Sequence, residues 1–133
     1  MRSKILIVDN DEDVLNSLRE HLTNEGYYVK TEKDPFTALK LIKTGGFFIV
    51  MVDINLDGMN GIEFLKRIKN YIVTTQVIML SKKRRLNYLI DSIEAGADDY
   101  LVKPIEEMSV VKNIVDVANE KLNRWRSLNF DQN

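Results

Sequence analysis

The chain contains no cysteine, which excludes disulfide staples and thiolate metal sites. A single histidine, His21, rules out a two-imidazole zinc motif and leaves little scope for histidine-based catalysis. Neither sign of charge is in excess, with 19 Lys and Arg against 20 Asp and Glu, so nucleic acid and anionic membrane surfaces are disfavoured as partners of this domain. Long apolar runs are missing too. The longest, Phe47 to Val52, is far too short to span a bilayer, and the residues before Asp9 hold no signal-peptide core. No internal repeat or low-complexity segment is visible. These absences predict a soluble, cytoplasmic chain. Its 133 residues, 44% of them apolar, suffice for one domain around one core and leave no room for a second.

What is present is an alternation of strand-like and helix-like stretches. Lys4 to Val8 reads as a first strand. Val14, Leu15, Leu18 and Leu22 then recur at helical spacing, with Asn10 or Asp11 as cap and Gly26 as stop. Tyr27 to Thr31 is a weaker strand. Asp34-Pro35 starts a helix and Gly45-Gly46 ends it. Phe47 to Val52 is apolar at every position, as expected of a strand covered on both faces. The loop "DINLDGMNG" leads into a helix from about Ile62 to Tyr71, followed by a strand from Val77 to Leu80. Leu86, Leu89, Ile90 and Ile93 mark a fourth helix ended by Gly96, Tyr100 to Val102 a fifth strand, and residues from Ile105 to beyond Trp125 a last helix. Strands that are each followed by a helix predict a parallel sheet with right-handed crossovers and helices on both faces, a three-layer α/β sandwich. In such sheets the functional crevice lies outside the carboxyl ends of the strands.

Those ends carry Asp9 and Asn10 after the first strand, Asp53 after the third, Ser81 after the fourth and Lys103 after the fifth. Parallel pairing predicts that two carboxylates, an amide, a hydroxyl and an ammonium meet at one edge. The acids crowded from Asp9 to Asp13 ask for a cation, and oxygen ligands suit a hard divalent ion, magnesium first and manganese second. The set suits phosphoryl transfer: Asp53 as nucleophile, a metal and Lys103 flanking the phosphoryl oxygens, and Ser81 as hydrogen-bond donor.

With these residues in place, the chain resembles the receiver domain of two-component response regulators. "ILIVDNDEDV" is similar to that family's acidic pocket, "VDINLDGMNG" to its phosphoacceptor loop, "VIMLS" to its hydroxyl-bearing strand and "DDYLVKP" to its switch aromatic and lysine-proline pair. The resemblance covers residues 4 to about 122. It implies a flavodoxin-like, doubly wound sheet of order 2-1-3-4-5. It also implies a sensor histidine kinase or phosphotransfer protein as donor, Mg2+ as cofactor, and self-dephosphorylation rather than enzymatic turnover. Position by position, the resemblance makes Asp53 the phosphoacceptor and places Asp9, Asn10, Asp53 and the backbone carbonyl of Asn55 at the metal. Ser81 and Lys103 become the phosphoryl contacts, and Ser81 with Tyr100 the switch pair. The Lys103-Pro104 bond is commonly cis in the family.

Three positions depart from the family pattern. Asn10 stands where a second acid is usual, removing one formal charge and predicting weaker magnesium binding. Lys82 replaces a small residue beside Ser81, where it either crowds Asp53 or brings a second cation. Asp57 replaces a common proline. They keep open a pseudo-receiver, an interaction module with slow or absent phosphorylation. A haloacid-dehalogenase-type phosphatase would need an acid two residues after its nucleophile, where this chain has Asn55, and a flavin module would need a phosphate loop where "DNDEDV" stands.

Blander roles suffice elsewhere. Asp11, Glu12 and Asp13 read as first-turn charges favoured by the helix dipole, and "KKRR" at 82 to 85 as a solvated face. Met51, Met59 and Met79 read as packing residues, and His21 as a surface or boundary helix residue. The last helix carries Met108, Val111, Val115, Ala118, Leu122 and Trp125 at helical steps and runs about 30 Å, longer than five-residue strands require. Residues 1–122 are therefore read as the receiver domain and 123–133 as an extension of the last helix and a tail. Leu122, Trp125 and Leu128 leave three roles open, covering another subunit, continuing into an output domain or folding back on their own core; the resemblance implies that the face of the fourth helix, fifth strand and fifth helix serves partners, and it is the place to look for a homodimer.

Overall fold

A computed structural model describes residues 1–131; residues 132 and 133 of the predicted tail lie outside the described residues. The elements alternate as β1 (Lys4–Val8), α1 (Glu12–Asn24), β2 (Val29–Glu32), α2 (Pro35–Gly45), β3 (Phe47–Asp53), α3 (Gly61–Tyr71), β4 (Gln76–Ser81), α4 (Leu86–Glu94), β5 (Asp99–Val102) and α5 (Met108–Ser127). All strand pairs are parallel, and the sheet order is β2-β1-β3-β4-β5. This is the doubly wound sheet that the resemblance implied.

Successive side chains of a strand leave opposite faces of the sheet. Ile5 and Ile7 of β1, Ile49 and Met51 of β3, and Ile78 and Leu80 of β4 therefore share one face, where Leu15, Leu18 and Leu22 of α1 and Val111, Val115 and Leu122 of α5 cover them. Leu6 and Val8, Val50 and Val52, and Val77 and Met79 take the other, under Ala38 and Ile42 of α2 and Phe64, Leu65 and Ile68 of α3. The unbroken apolar run of β3 is the signature of a strand with two covered faces. Asp11 caps α1 by accepting from Asp13 N, and Asp34 caps α2 by accepting from Thr37 N, with Pro35 in the first turn.

Two expected boundaries shift, and α4 adds a finding of its own. β2 begins at Val29 rather than Tyr27, because the Tyr27 amide donates to Leu22 O at the end of α1 and its buried ring turns toward α5. α5 begins at Met108 rather than Ile105, while Ile105 packs on the α1/α5 core. In α4 the apolar residues that marked the helix are not the buried ones. Leu86, Ile90 and Ile93 are exposed, whereas Ser92 is buried with its hydroxyl donating to Tyr88 O.

Candidate functional site

Parallel register brings the ends of β1, β3, β4 and β5 to one edge: Val8 pairs with Val52, Asp53 with Leu80, and Ser81 with Val102. The next residues of β1 and β5 are Asp9 and Lys103. Asp9, Asp53 and Lys103 meet there and are all buried. The Lys103 ammonium donates to Asp9 Oδ2 at 2.7 Å and to Asp53 Oδ2 at 2.9 Å. Backbone amides hold the remaining carboxylate oxygens: Asp11 N donates to Asp9 Oδ1 at 2.9 Å, and Asn55 N to Asp53 Oδ1 at 3.0 Å. Both carboxylates are thereby fixed in orientation by protein groups.

The electrostatics of the trio are unbalanced. Burial is the largest influence on Asp9 and raises its pKa, with the Asp53 charge pushing the same way and the Lys103 and Asp11 hydrogen bonds opposing. Burial alone would lower the pKa of Lys103, yet its two carboxylate partners outweigh that and raise it. Lys103 is thus an ammonium throughout the neutral range. Two buried carboxylates against one buried cation leave a negative excess that draws in further positive charge.

Asn10 lies a step outward. Its carboxamide Nδ2 donates to Asn55 O at 3.0 Å and its Oδ1 accepts from Asp57 N at 3.3 Å, so the amide spans the loop after β3. Ser81 lies at the same edge, but its hydroxyl is engaged with the Lys83 backbone, accepting from Lys83 N at 3.1 Å and reaching Lys83 O at 3.2 Å. Lys82 is exposed. Tyr100 packs against the α2/α3 core, and its hydroxyl is buried with no hydrogen-bonding protein partner among the described residues. The Lys103-Pro104 peptide is cis, as the resemblance implied.

The Asp9 and Asp53 carboxylates and the Asn55 carbonyl are the oxygen donors at this edge, the chemistry that hard divalent cations select, while the Asn10 amide oxygen is turned to Asp57 N. Among the described residues no three carboxylates or imidazoles converge on one point. A cation here would therefore depend on the Asn55 carbonyl as well as the two acids. The set fits magnesium by donor type, with a charge lower than three acids would supply.

One contributor escaped the sequence reading. Gly61 opens α3 so close under β3 that a Cβ there would lie 2.3 Å from Asp53 O and 2.6 Å from Ile54 Cα. Its amide donates to Ile54 O at 2.7 Å, closing the loop that starts at Asp53. The glycine in "DGMNG" was visible, but as a loop residue; the close approach belongs to the fold.

A doubly wound α/β domain with a lysine-bridged carboxylate pair at the carboxyl edge of its sheet defines a class of signalling and phosphoryl-transfer modules. The response regulator receiver domain family matches residues 5–115, and the chain belongs to that family. The alkaline phosphatase synthesis transcriptional regulatory protein PhoP of Bacillus subtilis is 33% identical over 110 residues, covering 83% of this chain and 46% of PhoP. The chain spans about half the length of the curated relatives it matches. A CheY-like response regulator receiver domain protein from Methanospirillum hungatei JF-1 superposes with a TM-score of 0.84 at 29% identity, covering 93% of this chain and 99% of that one. The beryllofluoride-activated NtrC4 receiver domain dimer superposes with a TM-score of 0.84 at 27% identity, covering 89% and 97%.

Proposed function

We propose that Asp53 accepts a phosphoryl group from the phosphohistidine of a sensor histidine kinase or phosphotransfer protein, and that the resulting charge switches a partner surface. The observation that carries this reading is Lys103 bridging Asp9 and Asp53, all three buried, at the carboxyl edge of the sheet. A carboxylate oxygen of Asp53 attacks phosphorus while the P–N bond to the donor imidazole breaks with its electrons on nitrogen. Lys103 is placed to follow the developing charge on the phosphoryl oxygens, and the Asn55 amide holds the nucleophile in aim. A magnesium or manganese ion held by Asp9, Asp53 and the Asn55 carbonyl, with Asn10 beside them, would neutralise the other side of the phosphoryl group. Ser81 is the proposed donor to the attached phosphoryl group; its hydroxyl must exchange the Lys83 backbone for that role. Tyr100 is the proposed switch aromatic. Its unpaired hydroxyl gives it no polar anchor on the inner side of its range.

In this reading the chain turns over no substrate beyond hydrolysis of its own aspartyl phosphate, and it works in the cytoplasm. Among the described residues no helix is long and apolar enough to cross a membrane. We assign 1–122 to the receiver domain and 123–133 to an extension whose first turn stays docked, Asn123 Nδ2 donating to Met1 O at 2.7 Å. The proposed homodimer surface is the α4-β5-α5 face. It exposes Ile90, Ile93, Val110 and Val117, and the NtrC4 receiver is itself described as a dimer. Incubation with acetyl phosphate and Mg2+ tests the proposal: the intact protein gains the mass of one phosphoryl group and Asp53→Asn does not. An unmodified wild-type chain, also unresponsive to beryllofluoride, would leave the pseudo-receiver, an interaction module on the same fold.

A further inference from the structure

The Asn10 carboxamide makes two hydrogen bonds to one loop, giving a proton to Asn55 O at 3.0 Å and receiving one from Asp57 N at 3.3 Å. It thereby imitates one residue of a neighbouring parallel strand, whose N–H and C=O likewise meet the C=O of one residue and the N–H of the residue two further on. The orientation is set by complementarity. With the amide turned over, oxygen would face the Asn55 carbonyl and NH2 would face the Asp57 amide, two acceptors opposed and two donors opposed. A carboxylate at position 10 has no proton to offer the Asn55 carbonyl, so in its place those two oxygens would repel unless a cation stood between them.

We infer that Asn10 is a tethered substitute for the divalent cation, tying the loop after Asp53 with its own N–H, so that a cation reaching the Asn55 carbonyl must first displace it. The inference rests on the metal position proposed above, and it reverses the role that the family pattern implies for Asn10: a competitor of the ion rather than one of its ligands. The loop it ties carries Asp53 at its start and is closed at its other end by the Asn55 to Asn60 bridge and the Gly61 amide. Asn10 is therefore a positioning residue. Its clamp gives the pocket a defined shape through protein groups alone, and it sets the metal concentration at which the ion takes over.

The test compares the wild-type chain with Asn10→Ala and Asn10→Asp, by thermal melting in EDTA and by Mg2+ titration followed on the backbone amides of Asn55 and Asp57. The clamp predicts that Asn10→Ala melts about 2–6 °C below wild type in EDTA. It also predicts that this variant binds Mg2+ at least as tightly as wild type, because the Asn55 carbonyl has been freed. Asn10→Asp, which both frees the carbonyl and adds a charge, binds about tenfold tighter or more. In wild type, Mg2+ moves the side-chain NH2 resonances of Asn10 toward those of a solvated amide. If Asn10→Ala melts with wild type in EDTA, or binds Mg2+ more weakly than wild type, the clamp is overturned and Asn10 is an ordinary ligand or a bystander. None of these readouts uses phosphorylation, so a chain that fails to accept phosphate and a chain without a clamp give different results. If no protein of the three binds Mg2+, the metal reading falls and the EDTA melting order alone decides whether the clamp exists.

Discussion

The ammonium of Lys103 stands 2.9 Å from the carboxylate of Asp53, fifty positions earlier in the chain, and both groups are buried. The same nitrogen is 2.7 Å from Asp9. One cation thus holds two acids that would otherwise repel, and a single substitution tests how much rests on it.

Lys103→Met leaves two carboxylates facing each other out of water. It is expected to lower the unfolding free energy by about 3 kcal/mol at neutral pH. The deficit shrinks in mild acid, because one carboxyl then takes up a proton. Urea melts at both pH values check this. Asp9→Asn behaves oppositely. Burial, chiefly, holds the Asp9 carboxyl above its ordinary value of 3.8. A raised folded-state pKa means stability that is full below the unfolded value and is lost as pH rises through the folded one. Removing the charge removes that pH-dependent loss, so Asp9→Asn gains on wild type as pH rises through the folded-state value, and a melting-point difference that stays constant with pH would contradict this.

Gly61→Ala places a methyl group against the backbone of Asp53 and Ile54. Backbone yields less readily than a side-chain tip, so the expected loss is on the order of 1–3 kcal/mol. Displacement of the nucleophile should also slow labelling by acetyl phosphate beyond what the stability loss explains. Equal labelling rates for folded variant and wild type would refute the positioning role.

Tyr27 donates to Asp116 Oδ1 at 2.6 Å, midway along α5. Burial first, and this hydrogen bond second, push the Tyr27 hydroxyl well above its ordinary value of 10.0. Burial would raise Asp116 as well, but the Lys112 and Tyr27 hydrogen bonds prevail and hold it below 3.8. The two signs differ. The Tyr27 contribution is full below pH about 10 and lost above it, whereas the Asp116 contribution is present above pH about 4 and lost as acid protonates the carboxylate. Tyr27→Phe should therefore cost most near neutrality, about 1 kcal/mol, with the gap to wild type narrowing at high pH. A constant gap across the alkaline limb would show that the hydroxyl contributes only by packing.

Asn119 Oδ1 accepts from Ser3 N at 2.8 Å, and its Nδ2 donates to Met1 O at 3.2 Å. Together with Asn123, it ties the chain's first residues to α5. Asn119→Leu strands the buried Ser3 amide and is expected to lower stability by about 1–3 kcal/mol. Hydrogen exchange at Ser3 and Lys4 should accelerate while β3 stays protected, and unchanged exchange at Ser3 would contradict the anchor.

Much of this was legible in the chain itself. Strand β3, apolar from Phe47 to Val52, announces two covered faces, and the Asp34-Pro35 and Gly45-Gly46 pairs punctuate α2 as their backbone preferences demand. Asp9, Asp53, Ser81 and Lys103 could be placed at one edge because parallel strands put all their carboxyl ends together. The Leu86, Ile90 and Ile93 stripe marks α4 by its helical spacing yet faces outward, since Ser92 and Tyr88 take the inner side. Periodicity reports that a helix has an apolar side, not that a core lies beneath it.

The sequence by itself determined the element order, the double-sided core and the roster of polar residues at strand ends, because periodicity, caps and breakers act over a few residues. Only the tertiary structure decided that Lys103 touches both acids, that Ser81 turns to the Lys83 backbone, that Gly61 must be bare, and that the Asn10 amide grips the loop after Asp53. The Lys103 and Asn10 contacts join segments far apart in the chain, and the Ser81 and Gly61 contacts depend on the path its loops take around the sheet edge, to within an ångström, which no local preference encodes.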